Sequence, residues 1–257
     1  RRTIRSIPDG VYRFVDHLDD DGVNMDQPVT LAVAVQVEGD ELTVDLAGTS
    51  PQVRGAINST LSFAKSAVYF AVRSIMGSDA PNNAGFFRPI HVKAPLGCLV
   101  NPKPPAAVAA RGISGFRLID AMFGALAQAV PRAVRAAGEG GTTSYSFGCH
   151  DAEGRFSLFR EAVMGAWGAG YRREGIDGVA NAAANISNAP IEMVENQAPI
   201  RVERYELVPD SGGPGQWRGG MSVMRRATGR TDRNGLARAS ATEALLLIGP
   251  TNADLPS

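Results

Sequence analysis

The sequence has few of the residues that build disulfide scaffolds, metal centres or membrane spans. Its 257 residues include 2 cysteines and 3 histidines, and two cysteines are too few for a disulfide framework. Reduced thiols and a cytoplasmic location are therefore expected. Lys+Arg and Asp+Glu both number 26, so the basic excess typical of nucleic-acid-binding proteins is absent. No apolar run reaches the ~18 residues that a membrane-spanning helix needs, and we expect neither a nucleic-acid nor a membrane partner.

Motifs for nucleotide binding and nucleophilic catalysis are also lacking. No phosphate-binding Gly-x-x-x-x-Gly-Lys-Ser/Thr loop occurs, and the glycine-rich loops around Trp167 and Trp217 do not have dinucleotide-binding spacing. We interpret both loops as tight turns around a buried tryptophan. No Gly-x-Ser-x-Gly elbow is present, and we predict that Cys98 and Cys149 are buried thiols and not nucleophiles.

The sequence offers no pattern typical of a metal site. His17, His91 and His150 lie far apart in the chain and show no ligand spacing. The acidic residues 16–22 lack the spacing of a calcium loop, because His17 and Pro28 occupy positions that need carboxylates. We predict a solvated turn at 16–22 and no metal bound by this chain.

What the sequence does contain indicates an α+β fold. Hydrophobic residues make up 44% of the chain, with 29 glycines and 16 prolines, which favours a globular core with many loops. In residues 31–37 leucine and valine alternate with alanine and glutamine, and 42–46 alternate again after Gly39-Asp40, a pattern that predicts a β-hairpin. Helical spacing predicts helices over 61–76 and 106–130. We therefore predict antiparallel strand pairs packed with two long helices and glycine-rich loops.

The second predicted helix has two further signals. Ser114 is placed to cap its start, while Gly115 and Gly124 indicate close approach by another element. Its predicted buried stripe is Phe116, Ile119, Met122, Phe123, Leu126 and Val130.

Six ordered segments carry a family resemblance. They are residues 48–60, 81–90, 101–108, 165–169, 201–207 and 210–213. Together they resemble the hydantoinase B/oxoprolinase family (N-methylhydantoinase B subunit-like) over roughly residues 7 to 225. Residues 1–225 are thus expected to be the C-terminal portion of such a domain. Residues 226–257 contain no aromatic residue and no recognisable family pattern, which predicts a divergent, disordered tail.

The resemblance implies one part of an ATP-dependent cyclic amide hydrolase of the hydantoinase or 5-oxoprolinase type. It implies a hydantoinase A-like subunit or domain that binds ATP and Mg, hence a hetero-oligomer, with metal ligands only in a portion N-terminal to this chain. The opening Arg1-Arg2-Thr3 without Met fits a piece of a longer polypeptide. Two alternatives stay open: a subunit of an ATP-dependent ketone carboxylase of the same family, and a non-catalytic scaffold.

The resembling segments supply polar candidates for substrate binding, although no catalytic residue is identified. Arg54 and Asn58 lie at the predicted start of the first helix, where backbone N–H groups attract anions. Asn82 and Asn83 lie in the turn after that helix, and Arg88 is able to hold a carboxylate through two hydrogen bonds.

Three further candidates lie in the second half of the chain. Glu161 ends a predicted strand just before a glycine-rich loop. Asn185 and Asn188 offer both hydrogen-bond donors and acceptors to an amide substrate. For every candidate, a cap, turn or core hydrogen bond is the structural alternative.

Overall fold

The computed structural model divides into two units, Arg1–Gly141 and Thr142–Ser257. It describes residues 1–76, 81–141, 143–150, 155–198, 200–229 and 246–248. The family resemblance had placed 1–225 in one domain, and the division after Gly141 lies inside that range. No described helix is both long and apolar enough to cross a membrane.

A four-stranded sheet with the order β1-β2-β3-β4 forms one layer of the first unit. Its strands are β1 (Gly10–Leu18), β2 (Val29–Glu38), β3 (Glu41–Asp45) and β4 (Ile90–Lys93). Strands β2 and β3 pair antiparallel, as the alternating pattern predicts, with Val35 opposite Val44 on the buried face. Strand β1 also pairs antiparallel with β2. Strand β4 pairs parallel to β3, because the intervening helix returns the chain to the same end of the sheet.

Three α-helices accompany this sheet: α1 (Leu61–Ser74), α2 (Ala84–Phe87) and α3 (Arg111–Ala127). A short 3-10 helix, Ile4–Ser6, precedes β1. Thr60 caps α1, since its hydroxyl accepts from the Phe63 N–H. Helix α1 packs against α3, and α3 packs on β1 and β2. The predicted α+β class with two long helices is confirmed.

Helix α3 corrects two details of the prediction. Ser114 is not its cap, because the helix begins at Arg111 and the buried Ser114 hydroxyl donates to the Ile57 carbonyl at 2.5 Å. Phe116, Phe123 and Val130 of the predicted stripe are only partly buried. The predicted close approach is confirmed: a Cβ on Gly115 would lie 1.9 Å from Phe63. Small residues face the core here because aromatic rings from neighbouring elements fill the space.

The second unit has a two-stranded and a three-stranded antiparallel sheet. The hairpin pairs β5 (Ser144–His150) with β6 (Phe156–Ala162). The second sheet has the order β7-β8-β9 and consists of β7 (Ile200–Leu207), β8 (Val223–Gly229) and β9 (Leu246–Ile248). Helix α4 (Ile191–Gln197), which the sequence did not predict, precedes β7, and its Val194 packs with Ile200.

Strand β8 continues through Gly229, past the predicted start of the tail at 226. The strand β9 also lies within that tail. Residues 230–245 and 249–257 fall outside the described residues, so the disorder expected there stays a prediction.

The two tryptophan loops differ. Trp167 is half-buried, and its Nε1 donates to the Ala180 carbonyl at 2.6 Å. The prediction of a buried side chain is wrong for Trp217, which is 38% exposed. That loop closes through backbone instead, since the Gly219 N–H donates to the Gly213 carbonyl at 2.9 Å.

Candidate functional site

The turn before α1 is organised by Asn58, whose side chain is fully buried. Its Oδ1 accepts from the Val53 N–H at 2.9 Å, and its Nδ2 donates to the carbonyls of Val53, Gly55 and Ala107 at 2.8, 3.0 and 3.0 Å. All of these partners are backbone groups, and both N–H bonds of the amide are used. Asn58 therefore joins this turn to a distant segment of the same unit.

Asp21 supports the same turn from the opposite side. The predicted solvated turn at 16–22 is wrong, because its first three residues belong to β1 and Asp21 is 3% exposed. Its carboxylate accepts from the N–H groups of Val23, Asn24 and Gly55. The backbone hydrogen bond from Asn24 is the largest cause that lowers the Asp21 pKa. Together the hydrogen bonds lower it to about 2, against the opposing effect of burial. Gly55 fits because a Cβ there would lie 1.6 Å from the Asp21 carbonyl oxygen.

Arg54 is exposed beside these buried groups. It lines a cavity of about 270 Å³ formed between residues 21–29 and 50–54. Within the described part of the chain, no hydrogen bond or ion pair holds its guanidinium, which leaves it available to an anion. Whether Arg54 binds substrate stays a prediction.

The remaining candidates of the first unit surround α2. Asn83 caps this helix, its Oδ1 accepting from the N–H groups of Gly85 and Phe86. Asn82 and Arg88 are exposed, and Arg88 occupies the C-terminal cap position of α2. Neither lines the cavity beside Arg54, so the structure does not bring the predicted arginine pair into one described cavity.

In the second unit, Glu161 forms a buried ion pair that the sequence did not predict. Its Oε2 lies 2.6 Å from Nη1 of Arg225, and the two side chains are 10% and 1% exposed. The Tyr145 hydroxyl donates to the same oxygen at 2.7 Å, while the Ala189 N–H donates to Oε1 at 3.1 Å. The Arg225 guanidinium also lies over the rings of Tyr145 and Tyr205, 5.7 and 4.8 Å from their centroids.

Asn188 directly precedes Ala189, whose N–H donates to Glu161 of this ion pair. Its Nδ2 donates to the Ala162 carbonyl at 2.6 Å, and its Oδ1 accepts from the Tyr205 hydroxyl at 2.6 Å. Burial raises the Tyr205 pKa, and nearby Glu161 raises it further, against the effect of Arg225. Tyr205 therefore stays a neutral donor to Asn188 at physiological pH.

A cavity of about 440 Å³ lies over Asn188 and Tyr205. Its apolar lining includes Met164, Val179, Ile186 and Ile191. Predominantly apolar walls with a few polar groups are typical of small-molecule sites. We therefore take this cavity and the ion pair behind it as the candidate functional site.

The structure brings two of the predicted residues, Glu161 and Asn188, together. Asn185 is exposed and is not part of the cavity lining. Sequence reasoning missed Tyr145, Tyr205 and Arg225. Tyr205 lies in one of the family-like segments, and that position was the available signal for it. The sequence carried no such signal for Arg225, because an arginine at the end of the family-like region is expected to be solvent-exposed.

Metal and thiol chemistry find no support among the described side chains. No three His, Cys, Asp or Glu residues there are placed to hold one ion, and the expectation that this chain binds no metal stays a prediction. Cys98 is a buried free thiol, as predicted, while the Cys149 side chain lies outside the described part of the chain.

Comparison with known proteins points to one family. The family model described as Hydantoinase B/oxoprolinase matches residues 1–243. A Pseudomonas sp. (strain NS671) protein assigned as the B subunit of a D-/L-hydantoinase is 38% identical over 240 residues, covering 89% of this chain and 40% of the relative. The 5-oxoprolinase PfmaA of Pestalotiopsis fici is 30% identical over 224 residues, covering 84% of this chain and 16% of the relative.

Solved structures agree with these matches. The crystal structure of the ATP-dependent caprolactamase from Pseudomonas jessenii has a TM-score of 0.77 and 28% identity, covering 88% of this chain and 40% of that one. Nucleotide-free acetone carboxylase has a TM-score of 0.75 at 16% identity, covering 89% of this chain and 33% of that one, which shows a shared fold alone. This chain, which spans less than half the length of these relatives, belongs to the hydantoinase B/oxoprolinase family.

Proposed function

We propose that the chain is part of an ATP-dependent hydrolase that opens cyclic amides. Relatives of this chain are named for hydantoin, 5-oxoproline and caprolactam. Each of these compounds has a ring that contains an amide. The observation in this chain that supports the proposal is the cavity over Asn188 and Tyr205, which presents neutral hydrogen-bonding groups within apolar walls. Such walls suit a small uncharged ring.

Other parts of the assembly complete this activity. One relative is named as the B subunit of a hydantoinase and another as the beta subunit of a caprolactamase, names that imply a partner subunit. We assign ATP and Mg to a hydantoinase A-like subunit or domain, because this sequence contains no phosphate-binding loop motif. The working form is then a hetero-oligomer, with metal ligands supplied outside this chain.

The chemistry explains why ATP is needed. An unstrained amide is a poor electrophile, and transfer of the γ-phosphoryl group to its enol oxygen supplies a leaving group. Water then adds to the carbon and the C–N bond breaks, with the nitrogen taking a proton. A second water releases phosphate, so one lactam and one ATP give the ring-opened acid, ADP and phosphate.

The test uses the complex assembled from the complete subunit and its ATP-binding partner. We expect ring opening and phosphate release together when hydantoin, 5-oxoproline or caprolactam is supplied with Mg-ATP, and no phosphate release by this chain alone. Acetone with bicarbonate is the matched control reaction. Turnover with acetone and bicarbonate but not with any lactam would instead establish the ketone carboxylase. No ATP-dependent turnover of either substrate class would favour the scaffold.

A further inference from the structure

The side chain of Asn188 has hydrogen-bonding capacity left over. A carboxamide offers two N–H donors and two acceptor lone pairs. Donation to Ala162 and acceptance from Tyr205 use one of each. These two bonds also fix which end of the amide is oxygen and which is nitrogen. One N–H and one lone pair therefore remain, on a side chain that lines the 440 Å³ cavity.

A cyclic amide is complementary to the unused N–H and lone pair of Asn188. Ring closure holds its N–H and C=O on the same edge, in the cis arrangement that open-chain secondary amides avoid. This donor and this acceptor are complementary in kind to the acceptor and donor left on Asn188. The methylene or substituted part of such a ring then contacts apolar walls that include Met164, Ile186 and Ile191.

Resting on the proposed function, we propose that Asn188 binds the cis amide edge of the substrate ring through a pair of hydrogen bonds in this cavity. Tyr205 is a positioning residue, because its hydroxyl orients the Asn188 amide. The buried Glu161–Arg225 pair lies behind Tyr205, with the guanidinium over its ring. Together they hold the amide in one orientation before the ligand arrives, which reduces the entropy lost on binding.

Binding of a lactam to the full chain tests this directly and needs no turnover. The probes are ε-caprolactam, N-methylcaprolactam, which lacks the N–H, and N-methylacetamide, whose amide is trans. Titration followed by ligand-observed NMR should give ε-caprolactam at least about tenfold tighter binding than either comparator, since each comparator forfeits at least one of the paired bonds. This comparison is made on the unaltered protein and is independent of any effect on folding.

Variants locate the site. Asn188→Asp keeps the shape but loses the donors, and we expect it to weaken ε-caprolactam binding about tenfold or more. Tyr205→Phe should weaken it less, and should reduce the preference for the lactam over N-methylcaprolactam because the amide is then free to rotate. Asn196→Asp, an exposed position on α4 outside the cavity lining, is the matched control and should bind as the unaltered chain does.

Several results would overturn the assignment. Equal binding of ε-caprolactam and N-methylcaprolactam excludes the paired hydrogen bonds. Unchanged binding by a folded Asn188→Asp chain excludes this cavity, as does the absence of lactam binding up to its solubility. In each case lactam-dependent ATP turnover by the assembled complex is measured separately. Turnover without binding at Asn188 rejects the subsite alone, whereas binding without turnover rejects the proposed function alone.

Discussion

Asn58 in the first unit and Asn188 in the second both lie in polar loops, yet their side chains are used differently. Asn58 is fully buried, and both of its N–H groups are bonded to backbone carbonyls. Asn188 makes two hydrogen bonds and lines a cavity with half of its capacity unused. An amide whose N–H groups are both bonded within the fold stabilises that fold, whereas an amide with a free N–H beside a cavity is able to bind a ligand. Counting bonds against capacity thus separates two residues that look equivalent in sequence.

The largest expected effect concerns the charge pair that supports Asn188. Arg225→Met should lower the free energy of unfolding by about 3–5 kcal/mol, because the Glu161 carboxylate then stays buried without its partner. Urea unfolding measures this. The double variant with Glu161→Gln removes the isolated charge and should recover much of the loss. A single variant as stable as the parent would show that the pair is not buried in solution.

Replacement of the fully buried Asn58 is expected to give the next largest effect. Asn58→Ala should cost on the order of 3 kcal/mol, because several buried backbone groups lose their partner at once. Asn82→Ala is the matched control, since Asn82 is exposed, and its effect should stay within about 0.5 kcal/mol. Thermal or urea unfolding of both variants decides whether Asn58 is structural. Equal losses of unfolding free energy in the two variants would contradict a structural role for Asn58.

A buried carboxyl in α3 adds a pH-dependent term to the first unit. Burial foremost, and nearby Asp16 to a smaller extent, raise the pKa of Asp120 to about 7 against the effect of Arg117. Between the unfolded value near 3.9 and about 7 the folded chain binds more protons than the unfolded one, so this residue makes stability fall as pH rises. Asp120→Asn should reduce the dependence of the unfolding free energy on pH, measured by urea unfolding from pH 4 to 8. An unchanged slope would contradict the raised pKa.

The smallest effect on stability is expected at the exposed arginines. Arg54→Gln and Arg88→Gln should change the melting temperature little, because neither guanidinium is held by the described residues. Activity of the assembled complex is the informative measurement. If either arginine holds an anionic substrate group, its loss should raise KM by roughly tenfold or more. Unchanged kinetics in both variants would remove them from the binding site and leave the Asn188 cavity as the candidate.

Periodicity predicted the elements whose burial is set by their own residues. The hairpin β2–β3 and the helices α1 and α3 follow from alternating or helical spacing. The parallel pairing of β4 was not predictable this way, since it depends on where α1 returns the chain. Helix α4 was missed because its short, polar sequence has only Val194 fully buried.

The candidate site was predictable only in part. Glu161 and Asn188 were found because they lie near motif-like loops and carry suitable polar groups. Arg225 was missed because its burial results from contacts with strands far away in sequence, against Tyr145 and Tyr205. Pairing between distant residues is a property of the folded chain, which composition and local spacing do not record.

The parallel pairing of β4 with β3 also has a kinetic consequence. Strands β2 and β3 pair from Glu38 and Glu41 onward, across a very short loop, whereas Leu42 must meet Ile90 to join β4 to the sheet. Closing the longer loop carries a greater entropic cost, and contacts between distant residues form slowly. We therefore expect the three-stranded meander to assemble first and β4 to complete the edge last. In hydrogen exchange, the amides of β4 should be the first of this sheet to open.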